Sequence, residues 1–200
     1  MKIIIVYNNE ARQGFKSGWG FSCLVEENQK KILFDTGDNP KKLLYNLKKL
    51  KIDPAGIDFL VISHEHWDHT GGLKGILENN PDIKILMPDS PEPAKITNHI
   101  LTTGAIKNSP DEQSLILKTN KGITVIVGCS HPGVDKILNI AEKYGKIHAI
   151  IGGFHGFSNF DSLKNIEIIG ACHCTQHADK IKELYPKQFK EIKAGDIIEI

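Results

Sequence analysis

Three histidines and an aspartate fall within six positions, His64-Glu65-His66-Trp67-Asp68-His69. Imidazole and carboxylate ligate zinc- and iron-type cations, and crowding them is costly unless a cation shares them. With 9 His in 200 residues, a chance cluster in a solvated loop is the weaker explanation. The stretch follows the apolar run Phe59-Leu60-Val61-Ile62 and precedes Thr70-Gly71-Gly72-Leu73. It reads as a metal-binding loop fed by a buried strand.

Three later loops share that layout. His131 lies in Gly128-Cys129-Ser130-His131-Pro132-Gly133, His155 in Gly152-Gly153-Phe154-His155-Gly156, and His173 in Gly170-Ala171-Cys172-His173-Cys174-Thr175. Each follows an apolar run that could not itself carry a charged ligand. Groups on loops at strand ends can converge while the sheets keep them rigid. Alone, His131 or His155 would read as a structural or surface residue; beside the hexapeptide, His131 and His173 read as ligands. Flanking glycines permit the close backbone approach that a crowded site needs. Cys172 and Cys174 alternate with His173, so in an extended segment both thiols would point away from that ring and serve as packing. Cys129, two residues before His131, is the better candidate for a thiol near the site. His177 reads as a surface residue, and His99 and His148 as non-functional.

The elements that must position these loops follow from periodicity. Lys2 to Tyr7 is β-branched and strand-like, and Asn8 to Gly20, with Gly14, Gly18 and Gly20, is a long loop. Phe21 to Val25 and Lys31 to Phe34 form a hairpin that ends in the turn Asp35-Thr36-Gly37-Asp38. Pro40 starts a helix whose Leu43, Leu44, Leu47 and Leu50 recur at helical spacing. Phe59 to Ile62 is a strand, Gly71 to Glu78 a short helix, Ile83 to Met87 a strand, and Ala94 to Leu101 is ambiguous. Ser114 to Thr119 and Ile123 to Val127 pair as a second hairpin, followed by a helix from Val134 to Tyr144. Strands at His148 to Ile151 and Ile166 to Ile169, a helix from Ala178 to Tyr185, and terminal strands at Phe189 to Ile192 and Asp196 to Ile200 complete the chain. The expectation is one domain, 1–200, of two similar packed halves, about 1–110 and 111–200.

Composition sets the outer bounds. The chain is 40% hydrophobic and 24% charged with net charge +1, which argues against a general nucleic-acid binder. No apolar run approaches the roughly 18 residues of a membrane span. The N-terminal strand lacks the length and cleavage site of a signal peptide. Four cysteines, Cys23, Cys129, Cys172 and Cys174, do not make a disulfide scaffold, so a cytoplasmic protein is expected.

The pattern His64-x-His66-x-Asp68-His69 after a hydrophobic strand resembles the signature of the metallo-β-lactamase superfamily. Asp35-Thr36-Gly37 resembles its short upstream acidic turn, and His131 and His173 match its later single-His motifs. The resemblance implies an α/β fold, the αββα four-layer sandwich of two mixed sheets flanked by helices. It further implies His64, His66 and His131 around one metal and Asp68, His69 and His173 around a second, with Asp35 orienting a ligand ring. One or two divalent ions are implied, zinc first, with iron or manganese as alternatives. The chain departs from the family where many hydrolases carry a bridging Asp: the strand end here reads Gly152-Gly153-Phe154-His155. His155 would stand in as ligand or substrate contact, which makes Asp68 and His155 the candidate catalytic residues.

The three glycine-flanked His motifs are similar to a subgroup of metal-dependent hydrolases that includes the dihydropterin ribofuranosylaminobenzene-phosphate synthase. The expected function is a hydrolase acting on an ester, amide or phosphoester of a small anionic molecule, with Arg12 and Lys16 able to meet the anion. No nucleic-acid or membrane partner is expected. Pterin-linked C–N bond formation and a non-hydrolytic metal-binding or redox role are the alternatives. Fold alone does not choose among them.

Overall fold

The computed structural model describes residues 1–200. By contact the chain divides into two compact units, Met1–Met87 with Ile192–Ile200, and Pro88–Glu191. The first unit opens with strands β1 (Lys2–Tyr7), β2 (Ser22–Glu27) and β3 (Lys30–Phe34), then helix α1 (Pro40–Lys49). Strand β4 (Phe59–Val61), helices α2 (Trp67–Thr70) and α3 (Leu73–Asn79), and strand β5 (Lys84–Leu86) follow. The second unit holds β6 (Ile100–Thr102), β7 (Leu115–Thr119), β8 (Gly122–Val127), α4 (Val134–Ala141), β9 (Ile147–Gly153), β10 (Ile168–Cys172) and α5 (Ala178–Leu184). The last strand, β11 (Ile197–Glu199), returns to the first unit and pairs antiparallel with β1.

Each unit has one mixed sheet: β11-β1-β2-β3-β4-β5 in the first and β10-β9-β8-β7-β6 in the second. In both, a hairpin is followed by parallel pairing, β3 with β4 and β4 with β5, and β8 with β9 and β9 with β10. The border does not fall near residue 110, because β6 and β7 pair across it, Leu101 opposite Ile116. It falls after Met87 instead, and the terminal strand belongs to the first unit.

Helix α1 begins as the sequence suggests. Asn39 caps it by accepting from the amides of Lys41 and Lys42, and Pro40 occupies the first turn. Leu43 and Leu47 then join Ile4, Val6, Leu24, Leu33 and Leu60 in one core, while Ile137, Leu138, Val125, Val127 and Ile150 belong to the core of the second unit. Alternate strand residues such as Ile3, Ile5, Val25, Ile32, Leu115 and Ile126 are equally inaccessible, so each sheet is buried on both faces. Phe189 to Ile192 does not form the expected strand. Only Phe189 bridges Ile169, its ring lying against the second core, and the chain turns away at once.

One buried polar side chain ties the long loop to this framework. Asn46 of α1 donates to the carbonyls of Val6 and Lys16, each at 2.8 Å, and accepts from the Lys16 amide at 2.8 Å. Alanine there would strand three backbone groups. Asn46→Ala is therefore expected to lower unfolding free energy by about 2–4 kcal/mol, measured by urea denaturation.

Candidate metal centre

All the candidate residues lie just beyond the carboxyl ends of strands: Asp35 after β3, His64 to His69 after β4, His131 after β8, His155 after β9 and His173 after β10. This is where open α/β sheets place their ligand sites. Four of the turns need a left-handed residue that is not glycine, at Asp35 (φ 57°), Ser130 (φ 62°), His155 (φ 44°) and His173 (φ 52°). Such backbone costs roughly 1–2 kcal/mol per residue, and clusters of it mark functional turns.

In the first unit the organising group is Asp35, fully buried. Its Oδ1 accepts from the Ser63 amide at 2.7 Å, and its Oδ2 from the Ser63 hydroxyl at 2.7 Å and from His69 Nδ1 at 2.6 Å. The Ser63 hydroxyl has one proton, already directed at Asp35. Its 2.9 Å contact with His64 Nδ1 therefore has the ring N–H donating to Ser63 Oγ. One carboxylate thus sets the tautomer of two rings, His69 directly and His64 through Ser63, and leaves both Nε2 atoms as lone-pair donors. Thr36 adds a backbone grip: its amide and hydroxyl both donate to the His69 carbonyl at 2.8 Å.

The remaining groups close around these rings. His64 Nε2 and His66 Nδ1 are 3.2 Å apart, and His69 Nε2 is 3.8 Å from Asp68 Oδ2. A tetrahedral zinc with Zn–N of about 2.0–2.1 Å has nitrogen neighbours roughly 3.3 Å apart, so the first pair matches one edge of such a site. The hexapeptide is not all loop. Trp67 to Thr70 forms the short helix α2, which carries Asp68 and His69 inward and leaves Trp67 exposed at the rim. Its seat is backbone on backbone: a Cβ on Gly72 would lie 2.3 Å from the Thr36 carbonyl oxygen. Beside it, burial and then the Asp38 carboxylate, to which the hydroxyl donates, push the Tyr7 phenol far above its ordinary range.

The second unit repeats this logic with a residue that sequence reasoning missed. Glu112 is fully buried; its Oε1 accepts from the amides of Cys129 and Ser130 at 2.9 and 2.8 Å. Its Oε2 accepts from the His131 amide at 2.8 Å and from His131 Nδ1 at 2.9 Å. The carboxylate shapes the whole turn and points Nε2 of His131 outward. No local pattern flags a lone Glu 19 residues upstream, so only the fold reveals it. His155, placed where the bridging carboxylate was sought, lies beside His131 with ring centroids 5.2 Å apart.

The structure also corrects the reading of the Cys-His-Cys run. Alternation fails because β10 ends at Cys172 and His173 turns left-handed. Cys174 and His173 therefore reach the same side, where they meet Cys129. Cys172 stays in the strand, and burial, then the nearby Cys174, push its thiol far up. Of the two side chains expected to meet an anion, Arg12 pairs with Asp196 at 2.6 Å, and Lys16 lies over the Tyr45 ring.

Comparison with known proteins gives the family and the fold class. The profile of the Metallo-beta-lactamase superfamily matches residues 20–131, more than half of the chain. The chain belongs to that superfamily, and its two mixed sheets with flanking helices are of the αββα class. Among relatives, the 7,8-dihydropterin-6-methyl-4-(β-D-ribofuranosyl)-aminobenzene-5'-phosphate synthase of Methanocaldococcus jannaschii is 29% identical, over 90% of this chain and 89% of its own length. The crystal structure of Tm1679, a metal-dependent hydrolase of the β-lactamase superfamily, covers 100% of this chain and 99% of its own, with TM-score 0.79 and 26% identity. The metallo-β-lactamase fold protein YhfI from Bacillus subtilis shares the fold at TM-score 0.72 and 12% identity, covering 99% of each chain.

Glu112→Ala would leave three amides and the His131 ring N–H without their acceptor. A loss of about 3–5 kcal/mol in unfolding free energy is expected by urea denaturation, with Glu112→Gln intermediate.

Proposed function

We propose that the protein is a metal-dependent hydrolase of small molecules, with one or two divalent ions, zinc foremost, held by His64, His66 and His131 and by Asp68, His69 and His173. The observation that carries this reading is the pair of buried carboxylates. Asp35 and Glu112 prepare ring nitrogens as lone-pair donors on His64, His69 and His131, an arrangement with little purpose without a cation. When bound, the ions supply Lewis-acid chemistry, acidifying water and polarising an ester, amide or phosphoryl oxygen.

The chain's own groups do the rest. Asp35 and Glu112 keep the ligand rings from rotating or changing tautomer. Asp68, with a carboxylate oxygen near His69, can hold a proton close to the reacting centre. His155 beside His131 can donate to the leaving group or orient the substrate. In this reading the two units act as one domain in a reducing cytosol, without nucleic-acid or membrane partners. No helix is long and apolar enough to cross a membrane.

Metal analysis together with an ester and phosphodiester panel tests the proposal. The wild type should hold zinc and hydrolyse at least one member, and His66→Ala should lose hydrolysis together with the metal held by His64, His66 and His131; full activity in that variant would refute it. Asp35→Asn, which keeps the shape but weakens the relay, should bind metal roughly 10–100-fold more weakly, measured by competition with a chelating dye. The 29% identity to the Methanocaldococcus jannaschii synthase favours a second reading, pterin-linked C–N bond formation with loss of a phosphorylated leaving group. Product from a pterin pyrophosphate and an aryl amine, without hydrolysis of the panel, would select it. Bound iron with neither reaction would select a redox role.

A further inference from the structure

Cys129, His173 and Cys174 are brought together within the second unit, and no reading so far uses the two thiols. Cys129 Sγ, a ring nitrogen of His173 and Cys174 Sγ all lie within 4.8 Å of one another. They come from two strand ends: Cys129 follows β8, and the other two follow β10. Two sulfurs and an imidazole form a softer donor set than the His and Asp residues of the first unit, and soft donors select thiophilic ions.

Three features show that the thiols are placed rather than merely buried. His173 adopts φ 52°, a conformation that turns its ring and the next thiol to one side. The turn is clamped: the Thr175 amide and hydroxyl donate to the Cys172 carbonyl at 3.1 and 2.7 Å, and Thr175 Oγ1 accepts from the Phe154 amide at 2.9 Å. Gly153 leaves the space the sulfur occupies, since a Cβ there would lie 2.7 Å from Cys174 Sγ and 3.3 Å from Cys129 Cα. Cys174 Sγ itself sits 3.9 Å from the Cys129 carbonyl oxygen. A hydrophobic packing role would need none of these constraints.

We propose that Cys129, His173 and Cys174 form a thiolate-bearing site for a zinc-class divalent cation. The inference touches the proposed function only through His173, which that reading gives to the second ion; in the sulfur site His173 joins Cys129 and Cys174 instead. Tetrahedral zinc with Zn–S of about 2.3 Å holds two sulfurs roughly 3.8 Å apart, a separation that falls inside the 4.8 Å within which the three donor atoms lie. Three protein ligands leave a fourth position open, the pattern of zinc sites that bind a further small ligand.

Cobalt(II) substitution of the reduced, full-length protein tests this independently of turnover. The expected result is a near-ultraviolet sulfur-to-cobalt charge-transfer band in the wild type. It should be lost in a Cys129→Ser, Cys174→Ser double variant and unchanged in Cys172→Ser, whose thiol lies outside the cluster. His66→Ala should retain the band while losing hydrolysis, which separates the two proposals. Should serine at 129 and 174 prevent folding, zinc protection of the wild-type thiols gives the same answer. Alkylation of Cys129 and Cys174, followed by peptide mass spectrometry, should slow roughly tenfold or more with zinc bound. A cobalt-loaded wild type without the band, a band that survives the double variant, or equal alkylation with and without zinc would overturn the inference. Hydrolysis that persists without the band would leave the proposed function standing.

Discussion

A carboxylate with no exposed surface needs its full set of hydrogen bonds, and the first unit is arranged to supply them to Asp35. The Ser63 amide, the Ser63 hydroxyl and the His69 ring all converge on its two oxygens. Each bond also fixes something else: the exit of β4, the tautomer of His64 and the orientation of His69. Removing the charge would free all three at once, so the turn after β3 and the motif after β4 are one object. Glu112 plays the corresponding part in the second unit, with four bonds to the turn that carries His131.

These carboxylates explain why strained turns persist. Asp35 itself, and Ser130 among the residues bonded to Glu112, adopt left-handed backbone at a local cost. The hydrogen bonds to a buried charge are stronger than neutral ones, by roughly a factor of two, and offset that cost. The glycines at 20, 71 and 72 do the remaining work by letting main chain touch main chain around the hexapeptide.

Much of this was legible from residue types. The hexapeptide, its feeding strand, the Asp35 turn, the Pro40 helix and both hairpins follow from spacing and β-branched runs, because each is local. What was not legible depends on contacts distant in sequence or on one dihedral angle. Glu112 looks like any surface acid until the fold brings it under the turn after β8. Strand alternation turns Cys174 away from His173 only if extension continues, and a single left-handed residue cancels it. The short helix α2 was hidden by a motif too brief to show a helical period, and β6 lay in a stretch with no clear pattern. The unit boundary was displaced because periodicity cannot say which hairpin a three-residue strand will join.

The sequence distances within the two carboxylate networks carry a consequence for assembly. Asp35 reaches Ser63 and His69 across 28 and 34 residues, and Glu112 reaches His131 across 19, always inside one unit. Each network is therefore completed by residues of its own unit. The rings of His64, His69 and His131 are held by hydrogen bonds to the protein's own carboxylates and hydroxyl, whereas a zinc finger depends on its ion to fold. On the proposed function, an ion held by such a frame would contribute chemistry more than structure, and one divalent metal could replace another without rebuilding the turns.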